Sequence, residues 1–405
     1  MNRRTFLKVA AVSFAGFLAG CGVEDKKNLP IKFLRQIITK NISETRCIMW
    51  QSDEFLKNPA VEVKFSEVTK IFSAIDSSFS DDGKKIIQYT AQIEIGDEFR
   101  IIDGERATDW QKLTVPDEKN FKAIIFPDSQ CGGSYETWGK VAKNAFERNS
   151  DANFFVNVGD IVDNGEDNAQ WEGWMAQIQD FMPKMSFAPV MGNHETYSRD
   201  WKVRQPIAYL NYFSTPNDGE SEVFQRRFYS FDCGAAHFAI LDSQWDELGR
   251  EIIDIQKKWL ENDLKSTDKQ WKIIFIHKDV LQYRINGRPE RKEGFSEIGE
   301  IFMPEFEKLG VDAVFTAHLH TYRNRGRLKN FQADDNGILY ILTGLSGNVR
   351  YSGLWIDHKL DKFVAPQPEI DNYLTLEGNN SILSVKCFLP NGKLIDETTL
   401  KKPNQ

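Results

Sequence analysis

The feature that most constrains the fold is a series of apolar runs between residues 120 and 345, each followed closely by polar residues. The runs are KAIIFPDSQ, NFFVNVGDIVDNG, FAPVMGNHE, HFAILDSQ, WKIIFIHKD, DAVFTAHLH and GILYILTGLSG. Continuous apolar runs predict strands that are buried on both faces, and helical patterns at residues 135–147, 252–264 and 297–309 separate several of them. This alternation predicts an α/β domain.

Side chains that can bind metal follow five of these strands. They are Asp128, Asp160, Asn193, His277, His318 and His320. Because ligands bind outside the carboxyl ends of strands in α/β sheets, we expect these side chains to converge on one rim. His318 and His320 alone are ambiguous, since two histidines after a strand can also be ordinary loop residues. Alternation along an extended chain would send both to the same side.

The region before residue 120 has a different pattern. Short β-like segments, including RCIMWQS, AVEVKF and IIQYTAQIEI, are separated by turn residues and carry no cluster of catalytic residue types. The pattern resembles a small β-sandwich of the fibronectin type III kind over residues 30–116. We expect this region to have a structural or orienting role.

The first 20 residues, MNRRTFLKVAAVSFAGFLAG, have the features of an export signal. Arg3, Arg4 and Lys8 precede an apolar stretch that is shorter than the roughly 20 residues a membrane-spanning helix needs. The paired arginines resemble a twin-arginine signal, and LAGC at 18–21 resembles a lipobox that would leave Cys21 lipidated. An uncleaved anchor helix is the alternative. Both predict a membrane-anchored protein that faces the periplasm or the cell exterior.

The composition of the remaining chain excludes some classes of protein. Removing residues 1–20 takes away three of the 51 basic residues and none of the 59 acidic ones, which leaves a formal net charge of about −11. Broad nucleic-acid binding requires basic surfaces, so we do not expect it. Cys47, Cys131, Cys233 and Cys387 show no CxxC pairing, and we expect buried, unpaired side chains. The sequence does not indicate an oligomeric state.

The ordered motifs resemble those of the calcineurin-like metallophosphoesterases, most closely the purple acid phosphatase-like branch with an N-terminal fibronectin-like domain. The motifs are DSQ at Asp128, GDIVDNG at Asp160, GNHE at Asn193 and His194, FIHKD at His277, and AHLH at His318 and His320. The resemblance extends from ETRCIMWQS to the closing LTLEGNNSILSVKCFLPNGKLIDETTL. It implies a four-layer αββα sandwich over residues 120–401.

The resemblance also implies a site with two divalent or trivalent metal ions. Asp160 would bridge them, with Asp128 and His320 on one ion and Asn193, His277 and His318 on the other. Iron, manganese, zinc and cobalt all suit such mixed ligands. A metal-activated water would attack a phosphomonoester or phosphodiester, and His194 would donate a proton to the leaving group. Glu195 would orient His194 or a ligand.

Three positions depart from the family pattern. Asp163 stands where purple enzymes carry a tyrosine that binds ferric iron, so a purple, obligatorily ferric site is not expected. Gln130 stands where many relatives have histidine, and its carbonyl oxygen could ligate a metal weakly or hold a metal-bound water. Ala317 replaces the usual glycine before the last histidine motif and excludes backbone conformations that glycine permits.

Other polar residues are expected to lie outside the chemistry. We expect a structural role for His237, a surface or interdomain position for His358, and solvated loop positions for Asp163 and Asp167. Four loop arginines are expected to be solvated, with contact to a substrate anion as the alternative. They are Arg284, Arg288, Arg291 and Arg350.

Two other functions are less consistent with the sequence than phosphoester hydrolysis. An envelope binding protein on a degenerate phosphoesterase fold would be expected to lose ligands, yet all six ligand positions keep metal-binding residue types. A serine hydrolase is disfavoured because GLSGN has Asn348 in place of the last glycine of a nucleophile elbow.

Overall fold

The computed structural model describes residues 29–217, 222–246, 248–367 and 369–402. The predicted export signal at 1–20 and the predicted lipidation site Cys21 lie outside the described residues. Among the residues that are described, no helix is both long enough and apolar enough to cross a bilayer.

The N-terminal region consists of short strands. They are β1 Ile31–Ile37, β2 Thr45–Ser52, β3 Pro59–Phe65, β4 Val68–Ser73, β5 Ile75–Asp81, β6 Lys84–Glu94, β7 Glu98–Asp103, β8 Arg106–Ala107 and β9 Gln111–Lys112. Strands β1, β2, β6 and β5 form one layer, and β4, β3, β7, β8 and β9 form the other. Trp50, Tyr89 and Val61 are among the buried side chains of the core that joins them. The predicted all-β sandwich is confirmed.

The described elements that follow include five α-helices, placed between strands up to residue 309, and strands alone after it. They are β10 Phe121–Phe126, α1 Glu136–Arg148, β11 Phe154–Asn157, α2 Asn168–Ile178, β12 Ser186–Pro189, α3 Ile207–Tyr212, β13 Tyr229–Cys233, β14 Ala236–Leu241, α4 Glu251–Ser266, β15 Trp271–Ile276, β16 Leu281–Gln282, β17 Arg284–Ile285, β18 Gly294–Phe295, α5 Glu297–Leu309, β19 Ala313–Thr316, β20 Tyr322–Lys329, β21 Gln332–Ala333, β22 Ile338–Thr343, β23 Trp355–Ile356, β24 Phe363–Val364, β25 Tyr373–Gly378, β26 Ile382–Phe388 and β27 Leu394–Lys401. The three helices predicted from periodicity correspond to α1, α4 and α5.

Two large sheets organise the chain. The first has ten strands in the order β27-β26-β25-β10-β11-β12-β1-β2-β6-β5. The second has eight, in the order β13-β14-β15-β19-β22-β20-β21 with β24 paired to β20. Strands β10, β11 and β12 are mutually parallel, as are β14, β15, β19 and β22. Their carboxyl ends therefore bring several loops together.

The layers are held together by three apolar clusters. One lies between the two sheets and includes Phe154, Phe238 and Phe275. A second joins the first sheet to α1 and α2, and a third joins the second sheet to α4 and α5. The order helix, sheet, sheet, helix confirms the predicted four-layer αββα sandwich. The four cysteines of the described chain are buried and unpaired, as expected.

The first sheet continues from the N-terminal sandwich into the larger region. Strand β1 pairs in parallel with β12, with Gln36 opposite Ser186. Buried Arg35 and Gln36 add side-chain hydrogen bonds to the carbonyl oxygens of Tyr212 and Pro183, at 3.0 and 2.7 Å. The two predicted regions, 30–116 and 120–401, thus share a hydrogen-bonded sheet.

Candidate metal centre

The six residues predicted from the strand ends come together at one rim. Asp128, Asp160 and Asn193 follow β10, β11 and β12, His277 directly follows β15, and His318 and His320 follow β19. The ligand atoms of Asp160, His277 and His318 lie within 4.8 Å of one another, and so do those of Asp128, Asp160 and His320. Asp160 belongs to both groups. Asn193 completes the set, with its Oδ1 3.2 Å from His277 Nε2.

The imidazoles keep nitrogen atoms available on the cluster side. His277 and His320 use Nδ1 for backbone carbonyls, at 2.8 Å from Val158 O and 2.6 Å from Val349 O. These bonds favour the tautomer that leaves Nε2 as a ligand atom. His318 differs, because its Nδ1 is buried without a hydrogen-bond partner. Mixed carboxylate, imidazole and amide atoms of this kind suit transition metals.

The electrostatics of the cluster also fit cation binding. Burial lowers the pKa of His318 to about 3 and that of His320 to about 4, so both rings are neutral near pH 7. Burial, together with the charge of Asp160, raises the pKa of Asp128 to about 8. A nearby cation would reverse that upward shift, because it stabilises the ionised carboxylate.

Asp160 and His277 form a buried pair, with Oδ2 and Nε2 3.2 Å apart. Burial alone would raise the pKa of Asp160, but His277 and His194 hold it well below its usual range. Burial alone would lower the pKa of His277, but Asp160 raises it to about 9. Metal binding at His277 would therefore release a proton.

Three candidate ligands have left-handed backbone conformations. The φ angles are 49° for Asp160, 79° for His318 and 53° for His320. Such conformations are uncommon for residues other than glycine and cost about 1–3 kcal/mol each where the surroundings impose them. The expectation of an extended chain at His318 and His320 is therefore wrong. A bend after β19, rather than strand alternation, points both rings at the cluster.

Glu195 holds the Asp160 loop in place. Its buried carboxylate accepts hydrogen bonds from the backbone N–H groups of Gly192, Ile161, Asp160 and Val162, at 2.7, 2.8, 2.9 and 3.3 Å. A Cβ atom at Gly192 would lie 2.1 Å from Asp160 Oδ1, so only glycine allows this approach. Glu195 thus orients a candidate ligand through the backbone.

His194 lies beside this cluster. Its Nδ1 is 2.6 Å from the carbonyl oxygen of Asp163, and its Nε2 is 4.0 Å from Asp160 Oδ2. Although burial opposes the shift, Asp160 and Asp163 raise the pKa of His194. Asp163 is half-buried at the site, so the expectation of a solvated loop position is wrong for this residue.

The other two departures from the family pattern, Gln130 and Ala317, also lie at the site. Gln130 Nε2 is 3.4 Å from His194 Nε2, and Gln130 Oε1 is buried without a partner. Ala317 is not among the described residues with positive φ, and its N–H donates to His277 O at 2.8 Å. The alanine therefore fits the observed backbone, with its N–H group satisfied by the carbonyl oxygen of a candidate ligand.

The remaining predicted residues lie away from the six-residue cluster. His237 is held between Asp232 and Asp263, with both contacts at 2.7 Å, in the structural role expected. His358 is only 3% exposed and its Nε2 lies 3.2 Å from Gly294 O, so the expected surface position is wrong. Asp167 is half-buried and caps α2 by accepting a hydrogen bond from Ala169 N, so the expectation of a solvated loop position is wrong for this residue too.

The loop arginines differ in their contacts. Arg350 is paired with Asp371, Arg284 lies 4.0 Å from Glu293, and Arg291 donates to Tyr283 O. Arg288 and Arg291 are exposed and line a cavity of about 410 Å³ that also reaches His318. All four arginines are exposed, as expected, while the cavity brings Arg288 and Arg291 near the cluster.

Aromatic residues around the cluster were missed by sequence reasoning. The ring of Tyr351 lies 4.6 Å from that of His320, between centroids, and the rings of Tyr197 and Trp201 lie 5.3 and 6.0 Å from that of His194. Their only sequence signal is their place in loops near the GNHE and GLSGN motifs.

Comparison with known proteins agrees with this geometry. The profile of the calcineurin-like phosphoesterase family matches residues 107–322, which is more than half of the 405-residue chain. The chain therefore belongs to the calcineurin-like phosphoesterase family. Its fold is similar to that of a purple acid phosphatase from yellow lupin (Lupinus luteus) seeds, with a TM-score of 0.75 at 16% identity over 92% of this chain and 74% of that one.

Curated relatives match over a smaller part of their length. Purple acid phosphatase 18 of Arabidopsis thaliana is 28% identical over 186 residues, which are 44% of this chain and 40% of that protein. Fe(3+)-Zn(2+) purple acid phosphatase 12 of the same plant is 23% identical over 236 residues, which are 54% of this chain and 47% of that protein. The alignments thus span less than half of each of these relatives.

Proposed function

We propose that the chain is an exported, metal-dependent phosphoesterase that hydrolyses phosphomonoesters or phosphodiesters. The observation that carries this proposal is the convergence of six buried or half-buried ligand residues, with Asp160 at their centre and three imidazole nitrogens facing the cluster. Membership of the calcineurin-like phosphoesterase family supports the same class of reaction.

Two metal ions suit the two overlapping groups of side chains. Asp128 and His320 would hold one, Asn193, His277 and His318 would hold the other, and Asp160 would contact both. Gln130 Oε1, which is buried without a partner, is a further candidate ligand. A bound metal pair supplies charge neutralisation for phosphate and lowers the pKa of water. Iron, manganese, zinc and cobalt remain the candidates.

His194 is placed to donate a proton to the leaving group. The contact between Nδ1 and the carbonyl oxygen of Asp163 favours a proton on Nδ1, which leaves Nε2 on the cluster side. Asp160 and Asp163 raise the pKa of His194 against the effect of burial, which makes the imidazolium form more accessible than in a free histidine. Its Nε2–H can then protonate a departing oxygen.

The test of this function is hydrolysis by metal-loaded protein. We expect it to cleave phenyl phosphate, diphenyl phosphate or both, and the pair of assays separates monoesterase from diesterase activity. Asp160→Asn should lower kcat/KM at least about 100-fold, because it weakens the one side chain shared by both groups. Asp151→Asn is the matched control, since Asp151 is exposed and pairs with Lys122 at the surface. Failure of metal-loaded protein to cleave either ester would contradict the proposal.

Export and lipid anchoring are a separate part of the proposal. They rest on the sequence of residues 1–21, in particular the paired arginines and Cys21. We expect the native protein in the membrane fraction and a Cys21→Ala variant in the soluble fraction. A variant that stays with the membrane would instead favour an uncleaved anchor helix.

A further inference from the structure

An exposed tryptophan stands beside the proposed proton donor. Trp201 is 56% exposed, and its ring centroid lies 6.0 Å from that of His194. Tyr197 contacts both, with its ring 5.3 Å from His194 and 5.9 Å from Trp201. The three rings form a continuous aromatic surface that leads outward from the candidate metal centre.

Trp201 occupies a backbone position that usually belongs to glycine. Ser198 and Lys202 close a tight hairpin, in which Trp201 N donates to Ser198 O at 2.8 Å and Ser198 N donates to Lys202 O at 2.8 Å. Trp201 is the last of the three loop residues and has a φ of 59°. Hairpins of this length favour glycine at that position, because a side chain strains the left-handed conformation. Hairpin formation therefore does not explain the tryptophan.

The hairpin is tied to the N-terminal sandwich by two ion pairs. Arg204 binds both carboxylate oxygens of Asp81, at 2.9 and 2.7 Å. Arg199 contacts Asp82 at 2.9 Å. Asp81 is the last residue of β5 and Asp82 follows it in the turn to β6, so the N-terminal sandwich helps to position the ring of Trp201.

We propose that Trp201, together with Tyr197, forms a stacking surface for the leaving group of an aromatic phosphoester. This inference rests on the proposed function, in which His194 protonates the departing oxygen. A group attached to that oxygen must extend past His194, where the exposed ring of Trp201 lies. Stacking on tryptophan favours planar groups and gives no comparable advantage to a small alkyl group.

The test compares two esters that differ in the leaving group. Trp201→Gly removes the ring and places the favoured residue in the hairpin, so the turn is preserved. We expect the ratio of kcat/KM for phenyl phosphate to kcat/KM for glycerol phosphate to fall about 10-fold. This fall corresponds to about 1.4 kcal/mol and should come mainly from a higher KM for phenyl phosphate. Trp201→Phe should retain most of the ratio. Phe55→Ala is the matched control, because it removes a ring that is 64% exposed in the N-terminal sandwich.

The outcomes separate this proposal from the proposed function. If both esters are cleaved and Trp201→Gly leaves their ratio unchanged, the stacking surface is refuted while phosphoester hydrolysis stands. If neither ester is cleaved, calorimetric titration with phenylphosphonate and methylphosphonate decides the question without turnover. A preference for phenylphosphonate that Trp201→Gly abolishes supports the surface, and equal affinities for the two phosphonates refute it.

Discussion

Replacing Glu195 with glutamine tests how the fold holds the candidate metal centre. Oε1 of Glu195 accepts from the N–H groups of Ile161 and Val162, and Oε2 accepts from those of Asp160 and Gly192. Glutamine keeps one acceptor oxygen and places an NH₂ group against two N–H donors. The variant therefore loses two hydrogen bonds to a charged acceptor, each of about 1.5–3 kcal/mol, but it also removes a buried charge that is repelled by Asp160, so the net loss is about 1–3 kcal/mol.

The measurement is urea unfolding of metal-free protein at pH 8, with metal content determined separately. At this pH the carboxylate is ionised, since burial and the charge of Asp160 raise the pKa of Glu195 only to about 7. Glu195→Gln should lower the free energy of unfolding by about 1–3 kcal/mol and reduce metal content. Glu105→Gln, at an exposed turn position, is the control and should change neither. A loss below about 1 kcal/mol with normal metal content would refute the reasoning.

Two further predictions concern stability away from the cluster. Burial lowers the pKa of His237, but two aspartates raise it to about 9, above the roughly 6.5 of an unfolded chain. The resulting stabilisation of about 3 kcal/mol is complete below pH about 6.5 and disappears as pH rises through about 9. His237→Gln should therefore destabilise the protein at pH 6 much more than at pH 10 in urea unfolding. Arg204→Ala leaves the buried Asp81 carboxylate unpaired and should lower the unfolding free energy by about 2–3 kcal/mol. The control is Arg250→Ala, which breaks an exposed ion pair with Glu297 and should lower the unfolding free energy by less than about 1 kcal/mol. Equal losses of unfolding free energy in the two variants would contradict a special contribution of the buried pair.

The convergence of the ligand residues could be predicted because it follows from a local pattern. Apolar runs predict buried strands, and parallel strands bring the residues after their carboxyl ends to one rim. This pattern alone was enough to predict that Asp128, Asp160, Asn193 and His277 meet at that rim. The three periodic helices followed from the same kind of local evidence.

The remaining features depend on contacts between distant parts of the chain. The left-handed conformation of His318 accompanies hydrogen bonds from its N–H group to the carboxylate of Asp128, 190 residues earlier. Pairing of β1 with β12 joins segments about 150 residues apart, and no local pattern encodes that choice. The sequence around His358 is typical of a polar loop, yet its ring is buried against Tyr283 and the carbonyl oxygen of Gly294, both more than 60 residues earlier.

The central claim is that Asp160 lies between two bound metal ions, and anomalous X-ray diffraction from metal-loaded crystals tests it most directly. We predict two anomalous peaks about 3.5–4 Å apart, one beside Asp128 and His320 and the other beside His277 and His318, with Asp160 contacting both. One peak, or none, at saturating metal would contradict the two-metal account.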